Sequence, residues 1–155
     1  MIGEDETAAT PLPAPGTGDA MLSDLLWEVS AYVELLGEAA LADLPISTAS
    51  SGMLMTVYAD PDITVAEISR RTPRSQQAIS QIVGRLERMG LIERRLKPGR
   101  GVGLHLTAEG RTMAERAFEQ ERATDERIRG VLGEKNHDAL RTLLARSRDL
   151  LRPEQ

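Results

Sequence analysis

Two helix-start signals lie only eleven residues apart in the middle of this chain. Thr64 is followed at the third helical position by Glu67, which is the spacing of a capping box. Ser75 is a natural N-cap and comes two residues after Pro73. Because a proline disfavours helical geometry at the residue before it, one helix must end near Thr72 and the next must begin near Ser75. The sequence therefore predicts a helix-turn-helix.

A Gly-rich ribbon is predicted directly after this pair of helices. The second helix runs to Met89, and Gly90 fits the left-handed position that often ends a helix. Two short strands, 91–96 and 102–106, follow around a basic tip at residues 97–101. We interpret Gly99, Gly101 and Gly103 as turn residues, because their spacing is not that of a nucleotide-binding loop.

Helical patterns also flank this central region on both sides. Four further helices are predicted from the spacing of their apolar residues, from Asp19 to Pro45, from Ser47 to Ala59, from Thr107 to Gly133, and from there to Pro153. Aromatic residues make up only 3% of the chain, which favours helices over a β-sandwich. Residues 1–18 combine acidic residues with Pro and Gly, which predicts a disordered tail. The expected fold class is mainly α with a small β-hairpin.

Positive charge is concentrated around the ribbon and the helix that precedes it. The whole chain has a net charge of −5, yet residues 65–112 contain ten Lys or Arg against four Asp or Glu. The rest of the chain therefore carries −11. Because neutralising phosphates and releasing counterions drives most nucleic-acid affinity, this basic region predicts a nucleic-acid-binding surface.

Composition argues against several other function classes. The chain has no cysteine, and its two histidines, His105 and His137, cannot form a metal site alone, so neither metal nor cofactor is expected. We expect both histidines to lie at the surface. Carboxylates occur in helical surface runs without a nucleophile or base nearby, which argues against an enzyme. Without a bilayer-length apolar run or a signal-peptide pattern, a cytoplasmic protein with no membrane partner is expected.

The helix that starts after Ser75 has two chemically different faces. At 100° per residue, its apolar side chains gather on one side, at Ile79, Ile82, Val83 and Leu86. The opposite face is polar and comprises Gln77, Ser80, Gln81, Gly84 and Arg88. Gln and Ser can hydrogen-bond to base edges, and a helix in the major groove contacts bases with its first turns. The order of glutamines before arginines therefore predicts base-reading residues followed by phosphate-binding residues.

Four segments of the chain resemble the MarR family of winged-helix transcription regulators. These segments are residues 64–68, 75–90, 91–95 and 106–110, and the resemblance extends over about residues 19–152. It implies a winged helix-turn-helix, with a DNA-binding lobe at 46–107. An N-terminal dimerisation helix at 19–45 and C-terminal dimerisation helices at 108–155 are expected to flank that lobe. The implied function is a homodimeric repressor that binds a palindromic operator in double-stranded DNA and is released by a small-molecule effector.

The expected DNA contacts come from the turn, the second helix and the ribbon. They are Arg74, Ser75, Gln76, Gln77, Ser80, Gln81, Arg85, Arg88, Arg94, Arg95, Lys97 and Arg100. By the resemblance, Ser75 to Gln77, Ser80 and Gln81 fall on the family's base- and phosphate-contacting positions, and Arg100 falls on its wing arginine. The wing here is shorter than usual and lacks the acidic residue that normally orients this arginine.

The resemblance also implies an effector pocket between the dimerisation helices and the DNA-binding lobe. Its candidate residues are Trp27, Tyr32, Met53 and Tyr58, which would suit an aromatic effector. Alternatively, the aromatic residues of this set pack in a dimer core. Two functional alternatives remain beside the repressor. One is a winged-helix protein-interaction module that does not bind DNA. The other is a metal-sensing repressor, for which the required thiolates and clustered histidines are absent.

Overall fold

The structure is a computed structural model that describes residues 20–97 and 101–151, with the backbone alone at Lys97. The elements in these ranges are α1 (Leu22–Ala40), α2 (Thr48–Ala59), α3 (Val65–Arg71), α4 (Gln76–Arg88), β1 (Ile92–Lys97), β2 (Gly101–Leu106), α5 (Ala108–Leu132) and α6 (Glu134–Leu151). The predicted mainly helical fold with a β-hairpin is confirmed. The predicted tail at 1–18 and residues 98–100 of the predicted tip at 97–101 fall outside the described residues.

The chain divides into two units, residues 1–35 and residues 36–155. In the first unit, the described residues form most of α1, which has no buried residue. Large apolar side chains along this helix are exposed, among them Leu22, Trp27, Val29 and Tyr32. No helix within the two described ranges is long and apolar enough to span a bilayer.

Side-chain caps fix the start of four helices in the second unit, close to the starts that the sequence predicts. The capping residues are Ser47, Thr64, Ser75 and Thr107, each of which accepts a backbone N–H from the first turn. At α3 the full capping box forms, since the N–H of Thr64 also donates to Glu67 Oε2 at 2.8 Å. The caps satisfy N–H groups that a helix leaves unpaired at its start.

A carboxylate also supports the start of α2. Glu38 Oε1 accepts the hydroxyl of Thr48 at 2.6 Å and its backbone N–H at 3.0 Å. Both hydrogen bonds favour the ionised carboxylate and therefore hold the pKa of Glu38 below its ordinary value. The negative charge of Glu38 consequently lies beside the positive end of α2.

The end of α4 explains where the first strand begins. Gly90 has φ of 71°, its N–H bonds to the carbonyl of Glu87, and the N–H of Leu91 bonds to the carbonyl of Leu86. This is a Schellman motif, as the glycine after Met89 predicts. Because Leu91 belongs to this motif, β1 starts one residue later than predicted.

The wing is the antiparallel pair of strands β1 and β2, residues 92–97 and 101–106, in which Ile92 pairs with Leu106 and Lys97 with Gly101. The second strand is flanked on its other side by the loop before α3. Leu104 accepts the N–H of Asp62 and donates its own N–H to the carbonyl of Ile63, both at 3.0 Å. The base of the wing is therefore hydrogen-bonded to the helix-turn-helix lobe.

Gly103 and Gly110 allow close backbone approaches. A Cβ at Gly103 would lie 2.8 Å from Asp62 Oδ1 and 3.0 Å from its Cα. Gly103 lies inside β2, within the predicted strand 102–106 and not in the turn, at the point where the α2–α3 loop packs. A Cβ at Gly110 would lie 1.9 Å from the carbonyl oxygen of Leu91. The start of α5 thus packs directly on the chain that leaves α4.

The hydrophobic core of the second unit joins α2, α3, α4, the wing and α5. Its fully buried side chains include Leu54, Ile63, Ile68, Ile79, Val83, Leu86 and Leu104. Three of these residues, Ile79, Val83 and Leu86, come from the predicted apolar face of α4, and Ile82 packs beside them. This burial fixes the rotation of α4 and leaves its opposite face exposed.

The expectation that both histidines lie at the surface is wrong. The His137 side chain is 6% exposed, and its Nε2 lies 3.1 Å from Asp125 Oδ1 on the neighbouring helix α5. The His105 side chain is 15% exposed, and its Nε2 lies 2.5 Å from Asp62 Oδ1. Both rings join two different elements, and such tertiary contacts leave no signal in local sequence patterns.

Candidate nucleic-acid interface

The turn between α3 and α4 is held by contacts at both of its ends. Thr72 ends α3 in an extended conformation, as the following proline requires. The hydroxyl of Ser69 donates to the carbonyl of Arg74 at 3.2 Å. Arg71 forms a 2.6 Å ion pair with Asp60, in the loop before α3. These contacts fix the direction in which α4 leaves the turn.

The first turn of α4 presents backbone donors and polar side chains to solvent. Ser75 accepts the N–H of Ala78 at 3.2 Å, and the side chains of Ser75, Gln76 and Gln77 are exposed. Unpaired N–H groups and the positive end of the helix dipole attract anions such as phosphate. The start of α4 is therefore suited to a phosphate contact next to base-reading side chains.

The exposed face of α4 carries the predicted base-reading residues. Gln77, Ser80 and Gln81 are exposed, while Ile79 and Val83 on the other face are fully buried. A Cβ at Gly84 would meet nothing within 4 Å, so packing within the chain does not require a glycine there. Its absent side chain leaves room for close approach of another molecule, such as the wall of a DNA groove.

The arginines of the interface differ in their contacts. Arg94 Nε is 2.9 Å from Glu87 Oε1, and Arg95 Nε is 2.9 Å from Glu93 Oε1. Arg88 folds back onto its own helix, where its Nε donates to the carbonyl of Gly84 at 3.2 Å. Arg94 and Arg95 could be identified from the sequence as candidate contacts, whereas their partners Glu87 and Glu93 could not. The seven-residue separation of Glu87 and Arg94 crosses a turn and gives no local signal.

Two further cations remain available at this surface. Within the described residues, the side chains of Arg74 and Arg85 have no recorded ion pair, and both residues are exposed. Lys97 ends β1, where its backbone pairs with Gly101. The Lys97 side chain and Arg100 fall outside the described atoms, so their predicted DNA contacts stay predictions. The structure thus groups the polar face of α4, its arginines and the wing within the second unit.

The predicted effector residues occupy different environments. Met53 is 5% exposed and belongs to the hydrophobic core, and its assignment to an effector pocket stays a prediction. Tyr58 is 41% exposed, with the Arg111 guanidinium 5.2 Å from its ring centroid. Trp27 and Tyr32 lie on the exposed surface of α1. Two shallow grooves along α5 are lined by none of these four residues.

A buried polar pair between α2 and α5 was also missed from the sequence. Ser51 is fully buried and donates to Glu121 Oε1 at 2.7 Å. The hydrogen bond satisfies a hydroxyl that would otherwise be costly to bury. In the described residues, no group of three or more His, Cys, Asp or Glu is arranged to hold a metal ion.

Comparisons with known proteins agree with this architecture. A family model described as the MarR family matches residues 44–101. The HTH-type transcriptional repressor Rv2887 of Mycobacterium tuberculosis is 32% identical over 112 residues, which cover 71% of this chain and 81% of that protein. Its crystal structure with salicylic acid has a TM-score of 0.69 at 29% identity, covering 83% of this chain and 97% of the other.

A crystal structure of Rv2887 in complex with DNA is similar to the same extent. Its TM-score is 0.69 at 27% identity, and the match covers 83% of this chain and 98% of the other. The similarity therefore includes the helices that flank the winged helix-turn-helix as well as the lobe itself. On the strength of its sequence relatives and its fold, the chain belongs to the MarR family of transcription regulators.

Proposed function

We propose that this chain is a homodimeric transcriptional repressor that binds a palindromic operator in double-stranded DNA. The observation that carries the proposal is the exposed face of α4, on which Gln77, Ser80 and Gln81 stand opposite three buried apolar residues. A rigidly packed helix with hydrogen-bonding side chains on its outer face suits insertion into the major groove. The DNA complex of Rv2887 supports the same use of this fold.

The proposed contacts divide into base readers and phosphate binders. Gln77, Ser80 and Gln81 read base edges, while Ser75, Gln76 and the arginines of the turn, α4 and the wing bind phosphates. Arg94 and Arg95 exchange their carboxylate partners for phosphates, which costs little because exposed ion pairs are worth about 0–1 kcal/mol. Lys97 and Arg100 extend this cationic surface along the wing.

Homodimerisation is proposed because two helices expose apolar side chains that a single chain leaves uncovered. In α6, Leu143 is 62% exposed and Leu150 is 73% exposed. In α1, Trp27 is 74% exposed and Tyr32 is 67% exposed. Soluble monomers rarely expose extended apolar surface, so a second copy of the chain is the proposed cover. Two copies would place two recognition helices on half-sites about one helical turn apart.

An aromatic acid is the proposed effector class, supported by the salicylic acid complex of Rv2887. Trp27, Tyr32 and Tyr58 are the candidate aromatic contacts. Such an effector releases DNA only if it binds the DNA-incompetent arrangement of the dimer more tightly than the competent one. Because Trp27 is the single tryptophan of the chain, its fluorescence during a salicylate titration reports on the surroundings of α1.

The replacement Gln81→Ala tests the base-reading role of α4. Binding to the selected operator should weaken by about 1 to 3 kcal/mol, while binding to a random duplex of equal length should not change. The measurement is a fluorescence-anisotropy titration of both duplexes at one salt concentration. Equal losses on the two duplexes would contradict base reading by Gln81. Failure of the unmodified protein to bind any duplex would favour a protein-interaction module instead.

A further inference from the structure

Three contacts converge on Asp62, in the loop between α2 and α3, and the next residue, Ile63, makes a fourth. Its N–H bonds to the carbonyl of Leu104, and its carboxylate Oδ1 lies 2.5 Å from Nε2 of His105. The backbone of Gly103 packs against it, because a Cβ there would lie 2.8 Å from Asp62 Oδ1. The adjacent carbonyl of Ile63 accepts the N–H of Leu104. One residue of the lobe thus contacts three successive residues of β2.

The backbone of Asp62 is shaped for this position. Asp62 is the one non-glycine residue with positive φ, 75°, within the described part of the chain. Aspartate tolerates this left-handed conformation better than most residues do. The turn directs the carboxylate toward the imidazole of His105, whose side chain is only 15% exposed. The Asp62 side chain is 42% exposed, and a hydrogen bond to a carboxylate is stronger than one between two neutral groups.

The same loop also contacts α3. Asp60, two residues before Asp62, forms a 2.6 Å ion pair with Arg71 at the end of α3. The loop therefore joins the helix that precedes the turn to the second strand of the wing. These are the two elements that flank α4 in the candidate interface.

We infer that Asp62 and His105 form a positioning pair. The pair holds the base of the wing against the helix-turn-helix lobe and so sets where the cationic side chains of the wing contact DNA. The inference rests on the proposed DNA-binding function. The hairpin of β1 and β2 has its own ladder of hydrogen bonds and does not need the pair to fold. Its attachment to the lobe, in contrast, depends on the contacts of Asp62 and Ile63 with β2 together with the burial of Ile92 and Leu104 in the core. The pair therefore acts on the position of the wing rather than on its existence.

The first test uses the free protein and the variants Asp62→Gly, His105→Thr and their combination. Glycine accepts the positive φ at position 62, and threonine suits a strand at position 105. Hydrogen exchange of the Leu104 amide, measured by NMR, reports on attachment of the wing because this N–H bonds to Ile63. We expect exchange to accelerate at least about threefold in each single variant, and no further in the double variant.

The controls separate attachment from general destabilisation. Asp62→Asn keeps an oxygen acceptor and tolerates the same backbone conformation, so its Leu104 exchange should stay within about twofold of the parent. Exchange at Val83, in the core of α4, should not change in any variant. Unchanged Leu104 exchange in the single variants would overturn the inference. So would an equal acceleration at Leu104 and Val83, which would indicate global unfolding.

The second test measures operator affinity against salt concentration for the parent and the same variants. Loss of the pair should weaken binding several-fold and reduce the salt slope by about one unit, the equivalent of one phosphate contact. Faster Leu104 exchange with an unchanged salt slope would contradict positioning on DNA. Failure of the proposed function and failure of the positioning pair are distinguishable. An unmodified protein that binds no duplex contradicts the proposed function. The exchange data test the pair without DNA.

Discussion

At the scale of single residues, side chains on opposite faces of α4 have opposite tasks. Ile79 and Val83 are fully buried and hold the helix in the core, which leaves Gln77 and Gln81 exposed. Gly84 is unusual on this exposed face, because glycine destabilises a helix by about 1 kcal/mol relative to alanine. No neighbour within 4 Å explains it. The proposed close approach of DNA would account for a residue that the free protein would be more stable without.

The replacement Gly84→Ala should therefore separate stability from binding. We expect the free energy of unfolding to rise by about 0.5 to 1 kcal/mol, because alanine loses less entropy in a helix. Operator affinity should fall, because the added methyl group meets the groove wall. Urea denaturation and an operator titration measure the two quantities. Gly130→Ala in α5, where a Cβ also meets nothing within 4 Å, is the matched control and should leave operator affinity unchanged.

Unchanged or tighter operator binding by Gly84→Ala would contradict the close approach of this helix to DNA.

The roles of single residues could be predicted from the sequence better than the partners of those residues could. The polar face of α4 was predictable from its 100° periodicity. The ion pair between Arg94 and Glu87 and the burial of His137 were not, because they depend on how elements meet.

At the scale of elements, local chemistry determines where the helices begin and end. Three of the helix caps are Thr64, which pairs with Glu67, and then Ser75 and Thr107. Each cap acts within four residues, so the sequence predicts it correctly. The start of β1 was misjudged by one residue, because the N–H of Leu91 completes the end of α4. The close approach at Gly110 could not be predicted either, because it is created by the carbonyl of Leu91, which is not near Gly110 in the sequence.

Two glycines of α5 should consequently respond in opposite ways to alanine. Gly110→Ala places a Cβ 1.9 Å from the carbonyl oxygen of Leu91, so we expect destabilisation by about 1 to 3 kcal/mol or more. Gly130→Ala should stabilise the same helix by about 0.5 to 1 kcal/mol. Chemical denaturation of both variants at neutral pH measures the difference. Equal stabilities would show that α5 does not pack on the end of α4 as described.

At the scale of the whole molecule, an acidic chain presents a basic surface. The net charge of −5 hides the excess of cations in residues 65–112, which include α3, the turn, α4, the strands of the wing and the start of α5. Outside this region, repulsion from the negative backbone of DNA discourages unspecific contacts. The exposed leucines of α6 and the aromatic residues of α1 supply surface for a second copy. The proposed repressor function therefore requires two copies of the chain on one duplex, each presenting the same DNA-binding surface.

Selection of bound duplexes from a randomised pool tests whether two chains bind one palindromic operator. The account predicts enrichment of a palindrome whose half-sites are about one helical turn, roughly 34 Å, apart, bound by two chains per duplex. A pool that shows no enriched sequence at low salt, or an enriched single half-site bound by one chain, would contradict it.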